Sequence, residues 1–142
     1  MKPKIWYKIQ KTKRNHSKQL KSGLDILWSK TIKARDKYAC CRCHKFYDEG
    51  SKGINAHHIF SRVHNSTRFS LLNGVTLCVG CHRFAHREPL IFHRWLEKKI
   101  GTKRYEYLQF LKNQVVKLDY GMTRIVLESE LKKCQTRGAN FQ

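Results

Sequence analysis

The sequence predicts an α+β fold: a small metal-stabilised finger flanked by an N-terminal helix and by further helices on its C-terminal side. Three observations predict it. Two Cys-x-x-Cys pairs, Cys40 with Cys43 and Cys78 with Cys81, stand at the ends of a medium-length segment. Each short turn presents two sulfurs to one side of a tetrahedron, which is the sequence pattern of a closed four-thiolate zinc site. Between the pairs a strand-like stretch carries the adjacent histidines His57 and His58. On both sides of the finger, apolar residues recur at three- and four-residue intervals, the period of an amphipathic helix.

Residues 1–22 are dominated by Lys8, Lys11, Lys13, Arg14, Lys18 and Lys21, with Trp6 and Tyr7 among them. They read as a basic flexible arm, either solvated or ordered on a phosphate backbone. From Leu20 the positions Leu24, Leu27, Trp28 and Ile32 mark one helical face ending near Asp36. Tyr38-Ala39 leads into the first cysteine turn, and Gly50 to Gly53 predicts a hairpin tip whose return strand is 54–59. Side chains alternate along a strand, so His57 and His58 should face opposite ways and do different work.

Residues 61–72 form a polar, basic loop containing Arg62, His64 and Arg68, followed by the turn dipeptide Asn73-Gly74 and the short apolar run Val75-Thr76-Leu77. After Cys81 a helix puts His82 and His86 one turn apart on a single face. Pro89 interrupts it and opens a helix over 89–100 that should bury Leu90, Ile91, Trp95 and Leu96 before Gly101 stops it. Thr102 can cap another helix with Tyr105, Leu108, Leu111 and Val115 on one face. A last helix over 123–133 uses Ile125, Val126, Leu127 and Leu131, and the tail, 135–142, should fray.

A chain of 142 residues accommodates one compact domain with a modest core. Its 30 Lys+Arg against 10 Asp+Glu leave a formal net charge of +20, which calls for a polyanionic partner. Nucleic acid is the match expected, with membrane-surface or ribosomal association as the competing explanations of charge alone. The first residues hold no apolar run long enough for a signal peptide or membrane span, so a cytoplasmic location and no membrane partner are expected. In a reducing compartment six cysteines serve better as metal thiolates than as disulfides, leaving Cys41 and Cys134 as ordinary thiols.

The ordered combination of His57-His58, Asn73, His82 and His86 with Cys40, Cys43, Cys78 and Cys81 resembles the HNH, or ββα-metal, endonucleases over roughly residues 24–100. Thr67-Arg68-Phe69 and the run from Pro89 to Trp95 further look like small phage-type HNH proteins, some of them regarded as recombination nucleases acting on branched DNA, and a homing endonuclease is the same-class alternative. The resemblance implies a ββα-metal finger with a four-cysteine zinc site inside a nuclease domain over 23–100, preceded by the 1–22 arm and followed by a helical extension over 101–134. It also implies that His57, His82 and His86 hold a catalytic divalent ion, Mg²⁺ or another, and that Asn73 bonds backbone across its loop to orient the base. His57 stands where one version of the family keeps Asp.

Phosphodiester hydrolysis needs an activated water, a counter-charge for the phosphoryl oxygens and help for the departing 3′ oxygen. His58 is the expected general base, since a neutral imidazole titrates close to physiological pH. Arg62 and Arg68 are candidates to clamp the scissile phosphate, and Lys11, Lys13 and Arg14 to bind double-stranded or branched DNA more widely. A homodimer through the helices after Thr102 would allow double-strand cutting. Cys78-Val79-Gly80-Cys81-His82 also spells a c-type haem attachment signal, but that chemistry needs export and would leave Cys40 and Cys43 unemployed. A thioredoxin-like redox pair lacks its strand and helix context. The reading from a different class is a zinc-stabilised DNA-binding module without catalysis, and an RNA-directed nuclease is a third.

Overall fold

The structure, a computed structural model, describes residues 3–139. Helix α1 runs over Lys4–Arg35, strand β1 over Ile54–His58, the short helix α2 over Asn65–Arg68, and a 3-10 turn over Leu71–Asn73. Strand β2 follows at Gly74–Cys78, then α3 (Val79–Arg87), α4 (Pro89–Ile100), α5 (Thr102–Lys112) and α6 (Tyr120–Ala139). The described chain is thus α+β, with six α-helices around a two-stranded antiparallel sheet.

The sheet separates two apolar clusters. Leu24, Trp28 and Ile32 of α1 gather with Phe69 and with Leu127 of α6 on one side. Val75, Leu77, Phe92, Leu96 and Leu108 gather on the other, under α3, α4 and α5. The register explains the division: His57 lies opposite Val75 and His58 opposite Gly74, and residues paired across an antiparallel ladder share a face. Gly74 is needed for closeness. A Cβ there would sit 2.6 Å from both Trp28 Cζ2 and Ile32 Cδ1, so only glycine lets α1 lie directly on the strand.

Several expectations change. Helix α1 begins at Lys4, far ahead of Leu20, so the basic arm is helical in this structure from that residue on; residues 1 and 2 lie outside the described residues. Lys, Arg and Gln are good helix formers, and extending a helix already nucleated on the sheet costs far less than starting one. Strand β1 occurs where predicted, but it pairs with β2 and not with the segment ahead of Gly50. That segment, with Asp48 and Glu49, offers no apolar alternation to pair. An isolated bridge between Ala39 and Phe46 closes the first cysteine turn instead. Asn73-Gly74 is no turn: Asn73 ends the 3-10 segment and Gly74 opens β2.

Helix α4 has the predicted limits, with Gly101 at φ 89° beyond its end, yet Leu90 and Ile91 are exposed while Phe92 and Leu96 fill the core. The helix meets the body along one narrow stripe, and the proline-containing first turn stands clear of it. Helix α5 stops at Lys112, so Val115 is outside it and fully exposed, and Gly101, not Thr102, occupies its N-cap position. Helix α6 is longer than the predicted 123–133; it buries Leu127 against α1 and leaves Ile125 and Val126 outside. Of the tail, residues 135–139 continue α6 and 140–142 lie outside the described residues. Among the described residues no helix is long and apolar enough to cross a membrane.

Candidate functional site

The four predicted sulfurs converge. The Sγ atoms of Cys40, Cys43, Cys78 and Cys81 all lie within 4.8 Å of one another, and Cys43 and Cys78 approach to 3.6 Å. With Zn–S bonds of about 2.3 Å, the edge of a regular tetrahedron is about 3.8 Å, so the cluster could hold a metal such as zinc. The first pair comes from the closed turn below Ala39; the second bridges the end of β2 and the first turn of α3, where the Cys81 N–H donates to Cys78 Sγ at 3.5 Å. Burial raises the Cys81 thiol to about 12 despite the Arg42 guanidinium 3.8 Å from its sulfur. For Cys78 burial also acts upward, but the hydrogen bonds from Cys81 and the neighbouring sulfurs outweigh it and bring the thiol to about 7. Such a set cannot ionise together without a cation, which is the condition a metal satisfies.

A second convergence brings His57 of β1 to His82 and His86 of α3. One ring nitrogen from each falls within the same 4.8 Å limit, and the Nε2 atoms of His82 and His86 are 3.2 Å apart. Zn–N bonds of about 2.0–2.1 Å give a tetrahedral edge of about 3.3 Å, so these rings have the spacing of a three-imidazole metal site. Phe92 stands edge-on to His57 at 5.2 Å between ring centres and backs it from α4. Burial, reinforced by the other imidazoles, drives His57 down to about 3, and burial also lowers His82. Their lone pairs are therefore available at neutral pH.

His58 turns the other way. Its ring lies flat on Trp28, with centres 3.8 Å apart and planes 10° from parallel, and its Nε2 is 2.9 Å from the carbonyl oxygen of Arg68. A carbonyl can only accept, so Nε2 carries the proton and Nδ1 keeps its lone pair. Nδ1 has no hydrogen-bond partner among the described residues. Burial holds His58 below its ordinary value, with the Arg68 carbonyl and the Asp25 carboxylate partly offsetting it. Both histidines line one cavity of about 510 Å³, together with His82, His86, Arg62 and His93. His93 bonds the Tyr105 hydroxyl at 3.0 Å.

Asn73 is fully buried and ties the loop between the strands. Its Oδ1 accepts from the Phe60 N–H at 2.8 Å, and its Nδ2 donates to the carbonyls of Phe60 and Thr67 at 2.9 and 3.1 Å. The carbonyl that holds His58 is one residue further on, so Asn73 braces the segment presenting it. Arg68 is engaged within the fold: its guanidinium forms a forked pair with Asp25 at 3.0 and 2.6 Å and its side chain is only 15 % exposed. Arg62, 66 % exposed at the cavity rim, keeps a long ion pair of 3.9 Å to Asp25. Lys11, Lys13 and Arg14 lie on the exposed half of α1, away from the imidazoles.

Sequence reasoning missed the roles of Trp28 and Asp25. Trp28 reads as a core residue by its period and is one, with its Nε1 donating to the Ser70 carbonyl at 3.1 Å as well. Asp25 carried one signal, being the first acidic residue after a long basic stretch. Comparison with known proteins yields no match among family models, characterised sequences or solved structures.

Proposed function

We propose that this chain is a metal-dependent DNA endonuclease of the HNH, ββα-metal kind, hydrolysing phosphodiesters to 5′-phosphate and 3′-hydroxyl ends. The observation that carries the proposal is the division between adjacent residues of β1: His57 turned to His82 and His86, and His58 turned away with Nε2 engaged and Nδ1 open. Packing on Trp28 and the bond to the Arg68 carbonyl give the ring a structural use as well, but neither accounts for an Nδ1 left, among the described residues, without a partner beside the cavity.

A divalent ion held by His57, His82 and His86 would supply Lewis-acid stabilisation of the phosphoryl oxygens and the departing 3′ oxygen. His58 Nδ1 takes a proton from water as the water oxygen bonds phosphorus and the P–O3′ bond breaks; the 3′ oxygen then gains a proton from solvent. The Arg68 carbonyl, accepting from Nε2, stabilises the imidazolium so formed. Arg62 at the rim has the charge and reach to meet a phosphate. A zinc ion on the four thiolates would fasten α3, and with it His82 and His86, to β2. Three imidazoles favour zinc, nickel or copper over magnesium by ligand type, so the ion must be determined by assay. The charge of +20 supports DNA as the partner.

The test is nicking of supercoiled plasmid with Mg²⁺, Mn²⁺, Ni²⁺ or Zn²⁺, with and without chelator. His58→Ala should lower the nicking rate about 10²–10⁴-fold while leaving DNA binding intact. Wild-type protein that binds DNA but nicks with none of these ions would be a non-catalytic zinc-stabilised binding module.

A further inference from the structure

One stripe of α1 connects the base to open surface. Arg14, Lys18, Lys21, Asp25, Trp28 and Ile32 follow one another at spacings of four and three residues, so they share one face of the helix. At one end of the stripe Trp28 carries the His58 ring, and Ile32 packs on the strand. Beside Asp25 the stripe faces the loop bearing Arg62, and from there toward Arg14 runs a groove of about 610 Å³. Arg14, Lys18, Lys21 and Arg62 line it, with Ser17 among them. The one carboxylate present, Asp25, is forked to Arg68, which also lines the groove, and stands 3.9 Å from the Arg62 guanidinium.

We propose that this groove seats the phosphate backbone of a double-stranded DNA whose neighbouring segment lies over the imidazole cavity. Arg62 lines both the groove and the cavity, so it marks where the path crosses from one to the other. The excess of cation over carboxylate fits a repeated anion rather than a small zwitterion or an acidic side chain. Length fits as well. Fourteen residues of helix separate Arg14 from Trp28, about 21 Å at 1.5 Å per residue, which matches about six base-pair steps of 3.4 Å. Arg14 and Lys18 are exposed and make no ion pair among the described residues, and half-buried Lys21 donates to the Asn65 side chain at 3.4 Å. The inference rests on nucleic acid being the substrate, and extends that reading by assigning the surface that holds it.

The experiment measures binding of a short labelled duplex by full-length His58→Ala protein as a function of salt. The groove variant, R14Q/K18Q/K21Q, is compared with K98Q/K103Q/K132Q, which removes the same charge from exposed positions on α4, α5 and α6. Each cation withdrawn from a phosphate should reduce the slope of log K against log salt by about 0.9, so the groove variant should lose about 2.7 while the control keeps its slope. Circular dichroism and zinc content verify that both variants fold. Equal losses in the two variants, or none in the groove variant, would overturn the proposal, as would tighter groove-dependent binding of duplex RNA. A groove-dependent slope together with an inert wild-type protein would sink the nuclease and leave the groove standing.

Discussion

His58 is held on three sides: Trp28 supports its face, the Arg68 carbonyl fixes Nε2, and Asn73 braces the loop that supplies the carbonyl. Asp25 completes the arrangement by gripping the Arg68 side chain from α1, across 43 residues of sequence. It touches no reacting atom, so it is a positioning residue. Asp25→Asn would free Arg68 to swing, let its carbonyl drift, and loosen the ring that the proposed mechanism brings to water. Misplacement of this kind costs on the order of 10–100-fold in turnover. The same substitution removes the carboxylate from a basic groove, so DNA affinity should stay the same or rise. Single-turnover nicking and equilibrium binding separate the two: a slower rate with equal or tighter binding is expected, whereas a merely structural role would weaken both. The residues that converge were legible because each short motif, Cys-x-x-Cys or histidines one helical turn apart, is local; Asp25 and Trp28 were not, since their part depends on where a distant helix comes to rest.

The turns and helices that carry the donors form two sets that are braced differently. The sulfur set joins the turn after α1 to the start of α3, so a metal there closes a loop that has little core of its own. Binding free energy at such a site is folding free energy, on the order of 10 kcal/mol. With zinc in this site, Cys40→Ser or removal of the metal by a strong chelator should abolish the cooperative thermal transition seen by circular dichroism. The imidazole set adds donors to elements that are already packed, with Ala85 and Phe92 in the core beside it. If the proposed function holds, His82→Ala should therefore keep the fold and any zinc on the thiolates and lose nicking; if it unfolds the protein as Cys40→Ser does, the two sites share one structural role. Sequence spacing predicted that the two cysteine pairs meet, and β1 was found where its paired histidines placed it. The strand partner was missed for a physical reason. A predicted hairpin reads only neighbouring turn residues, whereas β1 pairs with β2 because Val75 and Leu77 must be buried and α1 covers Gly74 at contact distance. Exposed Leu90, Ile91, Ile125 and Val126 failed likewise, because periodicity names an apolar face without saying how much of it a neighbour covers.

At the scale of the whole chain, +20 is a large charge for 142 residues, and no acidic residue precedes Asp25. Helix α1 gathers that imbalance on its free half, with basic residues at the end where the helix dipole itself is positive. Self-repulsion of this sort opposes the compact state, while a polyanion relieves it. Two salt responses of opposite sign follow. Raising KCl from about 0.1 to about 1 M shortens the screening length from about 10 to about 3 Å, so the free protein should become more stable, with a gain in Tm on the order of 5 °C. Over the same range its affinity for DNA should fall by orders of magnitude, because the counterions released on binding are no longer scarce. At low salt, added duplex should raise Tm by occupying the folded protein, and that gain should vanish as KCl increases. Differential scanning fluorimetry across a salt series, with and without duplex, reads both trends at once. A Tm that stays flat or falls with salt in the free protein would mean that the charges of α1 are already neutralised within the fold.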